Sequence, residues 1–236
     1  SALRSDQLDA GERAVYGGRR SLVRGLEWLG FERRSPRKHD HRYNFAFGTA
    51  RCADLNTGVW RQVPRLLAEM AYAPDRWQRG VVVIRIGIVD LGGLLPRMAT
   101  GRDDAALMRI VDECVAHVAT AVQAIRQSHR DTAIVLVGIQ SGADFPPAWE
   151  QWVDPQRLAN VAWYLDRYDA GLQRLATGAE RIRFFDDRAF FANHIGRRGP
   201  DGRLHDPALR IGDRFRIEHT LGDAPTHVLM EDEHYG

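Results

Sequence analysis

From residue 80 onward the chain alternates short β-branched runs with long amphipathic stripes, and this alternation limits the fold more than any other feature. The runs are GVVVIRIGIVDLGG (80–93), TAIVLVGI (132–139) and RIRFFDD (181–187), with YNFAFG (43–48) ahead of them. Val81 to Ile88 is almost continuously apolar, the pattern of a strand buried on both faces of a parallel sheet. Between the runs at 80–93 and 132–139, Asp103 and Asp104 stand ready to cap a helix. Its apolar stripe is Leu107, Ile110, Val111, Cys114, Val115, Val118, Val122 and Ile125, at i, i+3, i+4 and i+7. A second stripe fills 155–176, through Leu158, Val161, Ala162, Leu165, Tyr168, Leu172 and Leu175. The stretches 21–31 and 63–72 read as shorter helices. Strands separated by helices give βαβ units with right-handed crossovers, hence an α/β fold built as a three-layer αβα sandwich around a parallel sheet.

Two stretches interrupt the alternation. QSGADFPPAWEQWVDP (140–155) is a Pro- and Trp-rich loop after a strand. The segment 193–230 is a long excursion with a β-like stretch at ALRIGDRFRIEHT (208–220). Ligands of open α/β sheets sit at the carboxyl ends of the strands, so both segments are candidate cleft walls. Trp149 and Trp152 are candidates for a pocket rim, whereas Trp163 and Tyr164 sit on a helix and read as packing. We expect one domain over 1–236.

Charge excludes one class of partner. The 33 basic and 31 acidic side chains leave a net charge of +2, without the basic excess that nucleic-acid binding requires. The basic run ERRSPRKHDHR (32–42) reads as a solvated loop, and His39 and His41 within it have poor spacing for a metal. Arg97 and Arg102 fall in a surface loop before a helix. No apolar run approaches the length of a membrane span. Cys52 and Cys114 lie on different elements and suggest neither a disulfide framework nor a zinc site, Cys52 reading as core filler. No metal or cofactor is expected. With no signal peptide visible, a cytoplasmic location is favoured.

The strand ends, taken in order, carry a resemblance. SDQLDAG (5–11), NFAFGTA (44–50), GIVD (87–90) and EDEH (231–234) are similar to the four blocks of the SGNH/GDSL hydrolase family. The resemblance implies a flavodoxin-like αβα sandwich of SGNH hydrolase type, lacking the start of its first strand and the helix that usually follows the His block. It also implies an ester or acyl hydrolase in which a serine attacks the carbonyl and a histidine carries the proton. His234 matches the family's histidine, with Glu231 or Asp232 as its carboxylate.

The departures fall on the chemistry. Gln7 stands where the family has its serine, Thr49 where it has the oxyanion glycine (Gly48 is one residue earlier), and Val89 where it has an asparagine donor. Loss of one oxyanion donor costs about 10² to 10³ in rate. Three readings stay open. In one, Ser5 is the nucleophile in a shifted alignment. In another, His234 drives altered chemistry in a cleft where Asp6, Gln7, Gly48, Thr49, Val89 and Asp90 position a small-molecule ligand. In the last, the fold is a binding module for a ligand or partner.

Overall fold

A computed structural model describes residues 43–235, apart from 48, 59, 145–147, 149–150, 195, 206–207, 214, 222–226 and 232–233. Its centre is a three-stranded parallel sheet, β1 (Val81–Ile84), β2 (Ala133–Val137) and β3 (Ile182–Phe185), in the order β1-β2-β3. Val82 pairs with Ile134 and Ile134 with Ile182, so the buried side chains of the three strands line up in register. Among the described residues, five helices precede the first crossover's end: α1 (Gln62–Met70), α2 (Pro74–Trp77), α3 (Ile88–Leu91), α4 (Leu95–Met98) and α5 (Ala105–Ser128). After β2 come α6 (Pro155–Ala176) and, beyond β3, α7 (Asp187–His194).

The two crossover helices follow the apolar stripes. Asp104 Oδ1 accepts from the amides of Ala106 and Leu107 and starts α5, as the sequence implies. Asp154 caps α6 in the same way, with Pro155 in the first helical position where its missing N–H costs nothing. Leu107, Val111, Val118 and Ile125 from α5 and Tyr164, Leu165, Tyr168 and Leu172 from α6 meet Val82, Ile84, Ile134 and Leu136 in one core. The helices approach closely at Gly171, where a Cβ would lie 2.6 Å from Val115 Cγ2. Only glycine admits that approach. Trp163 packs edge-on against Tyr164, and His194 lies tilted against Phe190, both local contacts.

Three expectations about strands need correction. Tyr43 to Phe47 joins no strand: the Asn44 side chain accepts from the Ala46 amide, a local turn that competes with extended pairing. The run at 80–93 is a strand only to Ile84. Gly87 takes φ +104°, closed to most side chains, and the backbone turns into α3, which carries Val89 and Asp90. β1 is also not buried on both faces among the described residues, because Val81 and Val83 are 55% and 62% exposed. An apolar run reports burial but not which face of the strand receives it.

A second, four-stranded sheet follows: β4 (Ala208–Ile211), β5 (Phe215–Leu221), β6 (His227–Glu231) and β7 (His234–Tyr235). β4 and β5 form the antiparallel excursion expected at 208–220. Among the described residues no helix is long and apolar enough to cross a membrane.

Candidate functional site at the carboxyl end of the first strand

The site is built around the turn that ends β1. Gly87 sits over Ile139, Cys114 and the Tyr168 hydroxyl, and a Cβ there would come within 2.6 Å of Ile139 Cδ1. The buried Tyr168 hydroxyl donates to the Ile86 carbonyl at 2.9 Å, tying α6 to the turn from beneath. Burial pushes the Tyr168 hydroxyl's pKa up, and the negative charges of Asp169 and Asp90 add to the shift. The phenol therefore stays a donor through the physiological range.

Above the turn lies the segment carrying Thr49. Its 3₁₀ turn, Cys52–Leu55, is fixed to the rest of the fold at three points. The Cys52 amide donates to Asp90 Oδ2 at 2.9 Å. Asn56 Nδ2 donates to the His117 carbonyl on α5 at 2.8 Å. Cys52 is bonded to Cys114 as a disulfide, with the Cα atoms 5.1 Å apart. This last point corrects the sequence reading of two unrelated cysteines. A separation of 62 residues hides the pairing, and only the docking of the turn onto α5 brings the sulfurs together. The two sulfurs and the Asp90 carboxylate lie within 4.8 Å of one another. Joined in a disulfide, the sulfurs offer no thiolate to a metal.

The structure thus brings part of the expected constellation together. Thr49 is exposed, Val89 and Asp90 are partly buried, and Asp90 links their two segments. One Asp90 oxygen is therefore committed to the Cys52 amide rather than to a ligand. Glu231 and His234 are cross-strand partners of β6 and β7, so a carboxylate-bearing and an imidazole-bearing residue are neighbours in the backbone register. Ser5, Asp6, Gln7, Gly48 and Asp232 lie outside the described residues, as do His39, His41, Trp149 and the helix expected at 21–31.

Two charged groupings flank the carboxyl ends of β2 and β3 and had no signal in the sequence beyond residue type. Arg198 Nε donates to Asp144 Oδ1 at 3.0 Å, and its Nη1 donates to the carbonyls of Trp152 and Gly202, each at 2.6 Å. Its Nη2 donates to the Ala143 carbonyl. Burial pushes the Asp144 carboxyl's pKa up, against the pull of Arg198. Trp152, expected at a pocket rim, packs against the core with Arg157 over its ring. On α6, Asp169 Oδ2 takes two hydrogen bonds from Arg188, at 3.1 and 2.5 Å. Its Oδ1 is buried and faces Gly138. Burial pushes the Asp169 carboxyl up, while Arg188 and the Ile139 amide pull it back. Arg97, expected in a loop, lies on α4, where the chain turns helical at Leu95–Pro96, and is held by Asp104 in a two-point ion pair; Arg102 is held by Asn160 on α6.

No protein-family model, curated protein or solved structure matches the chain.

Proposed function

We propose that this chain is an SGNH-type hydrolase-like protein, a three-layer αβα sandwich whose cleft at the carboxyl end of the parallel sheet is of ester or acyl hydrolase type with an atypical site. The observation that carries the reading is the Asp90–Cys52 hydrogen bond. It joins the segment after NFAFGTA to the turn GIVD at the carboxyl end of β1, where ligands of open α/β sheets bind. In this reading His234, paired with Glu231 or Asp232, is the general base, and Ser5 is the hydroxyl nearest the expected nucleophile position. Gln7, Asp6, Gly48 and Thr49 border the ligand. Val89 offers no donor to an oxyanion, which favours a second reading, a binding module on the same fold that retains a small-molecule cleft without turnover.

Labelling with a fluorophosphonate, followed by mass mapping, separates the two. A stoichiometric adduct on Ser5 that is lost in His234→Ala supports a serine hydrolase. No adduct, together with no hydrolysis of short-chain aryl esters, overturns the hydrolase reading and leaves the binding module.

A further inference from the structure

We propose that the Cys52–Cys114 disulfide is an oxidative lock: it holds the 49–57 segment against the end of β1 and opens only when the Cys52–Leu55 turn lifts from α5. The inference concerns the position of that segment and stands apart from any chemistry in the cleft.

Three observations support it. First, the bond joins the segment bearing Thr49 to the middle of α5, beneath the Gly87 turn that leads into Val89 and Asp90. It therefore fixes one half of the candidate site relative to the other. Second, each cysteine is only 2% exposed, so a reductant has no line of attack on either sulfur in the closed fold. Reduction has to pass through local opening, at a rate set by how often the turn detaches. Third, identified non-covalent ties oppose detachment: Asp90 to the Cys52 amide, Asn56 to the His117 carbonyl, and the burial of Ala50 and Leu55 in the core.

The chemistry of unlocking is thiol–disulfide exchange with a dithiol. A thiolate of the reductant attacks one protein sulfur, which releases the other as a thiolate and leaves a mixed disulfide. The reductant's second thiol then attacks the reductant's own sulfur in that mixed disulfide, releasing the remaining protein thiolate and closing the reductant's disulfide. Two electrons and two protons pass to the protein, leaving two thiols. The Asp90 carboxylate close to both sulfurs then disfavours a thiolate at either, so the freed cysteines are weak nucleophiles.

The test uses the full chain and dithiothreitol. Peptide mapping of the oxidised protein should recover Cys52 linked to Cys114, and two free thiols there would overturn the lock. Under native conditions the Asn56→Ala variant should be reduced about fivefold faster than the wild type, the effect of removing one ordinary hydrogen bond from the closed state. Equal rates would overturn the opening route. In the reduced wild type, and in Cys52→Ser without reductant, amides of 49–57 should exchange hydrogen at least about tenfold faster while those of β2 keep their protection. Unchanged exchange at 49–57, or loss of protection throughout β2, would overturn a lock confined to this segment.

Discussion

Asp90 reaches back across 38 residues to accept the Cys52 backbone amide at 2.9 Å, so one carboxylate sets the distance between the Thr49 segment and the α3 turn. Cys52 is buried, and its N–H has no water to turn to if that acceptor is removed. Asp90→Ala should lower stability by about 1–3 kcal/mol, the cost of stranding a buried donor. Asp90→Asn, which keeps an oxygen acceptor, should lose much less. Urea unfolding at constant m-value measures both, and equal losses would show that charge rather than the hydrogen bond matters here.

The contact of α5 with α6 at Gly171 leads to a paired prediction. A Cβ at this position would lie 2.6 and 2.9 Å from the two Cγ atoms of Val115, whose branched side chain has little room to turn. Gly171→Ala should destabilise by about 1–3 kcal/mol through overpacking, despite the better helix propensity of alanine. Adding Val115→Ala should recover part of that loss. A double-mutant cycle with no coupling would place the helices further apart than they stand.

Stability should fall in acid partly through the cap of α5. The Arg97 guanidinium beside Asp104 holds its carboxyl below the usual carboxylate range, and the Leu107 amide acts in the same direction. A carboxyl whose pKa is depressed by folding contributes stability above its unfolded value, and that contribution is lost as pH falls through the folded value. Asp104→Asn keeps an acceptor for the helix amides but no charge. The wild type should therefore exceed this variant in unfolding midpoint at pH 7, with the gap closing below about pH 4. An unchanged gap at pH 2 would refute the assignment.

The disulfide closes a loop whose ends are 62 residues apart, which in the chain-entropy account stabilises by about 4 kcal/mol. Cys52→Ala with Cys114→Ala should lose stability of that order. Denaturant titrations of the oxidised wild type and the double variant decide it, and a difference well under 1 kcal/mol would mean that the bond constrains the unfolded chain very little.

The helices were the most legible part of the sequence. Asp104 precedes the first long periodic stripe, so cap and period together locate α5, and the period alone locates α6. β2 and β3 were legible for a similar reason, since short β-branched runs between polar ends have few alternatives. The turn at Gly87 was not, because Ile88, Val89 and Leu91 are as apolar in a helical turn as in a strand, and only the positive φ separates the two. At the strand expected at 43–48, the Asn44 side chain instead accepts from the Ala46 amide two residues on. At the candidate site, motif order placed Val89 and Asp90 at the end of β1, but the partner of Asp90 and the pairing of the cysteines depend on tertiary docking, which leaves no periodic trace.

Arg198 holds Ala143, Asp144, Trp152 and Gly202 with one guanidinium. The loop after β2 and the loop before β4 are consequently one mechanical part, although more than forty residues separate their anchors. For anyone redesigning this protein, neither loop is a free cassette. A graft that replaces the first leaves a cation facing carbonyls that have moved, and one that replaces the second removes the clasp from the first. The two have to be exchanged together, with the arginine kept.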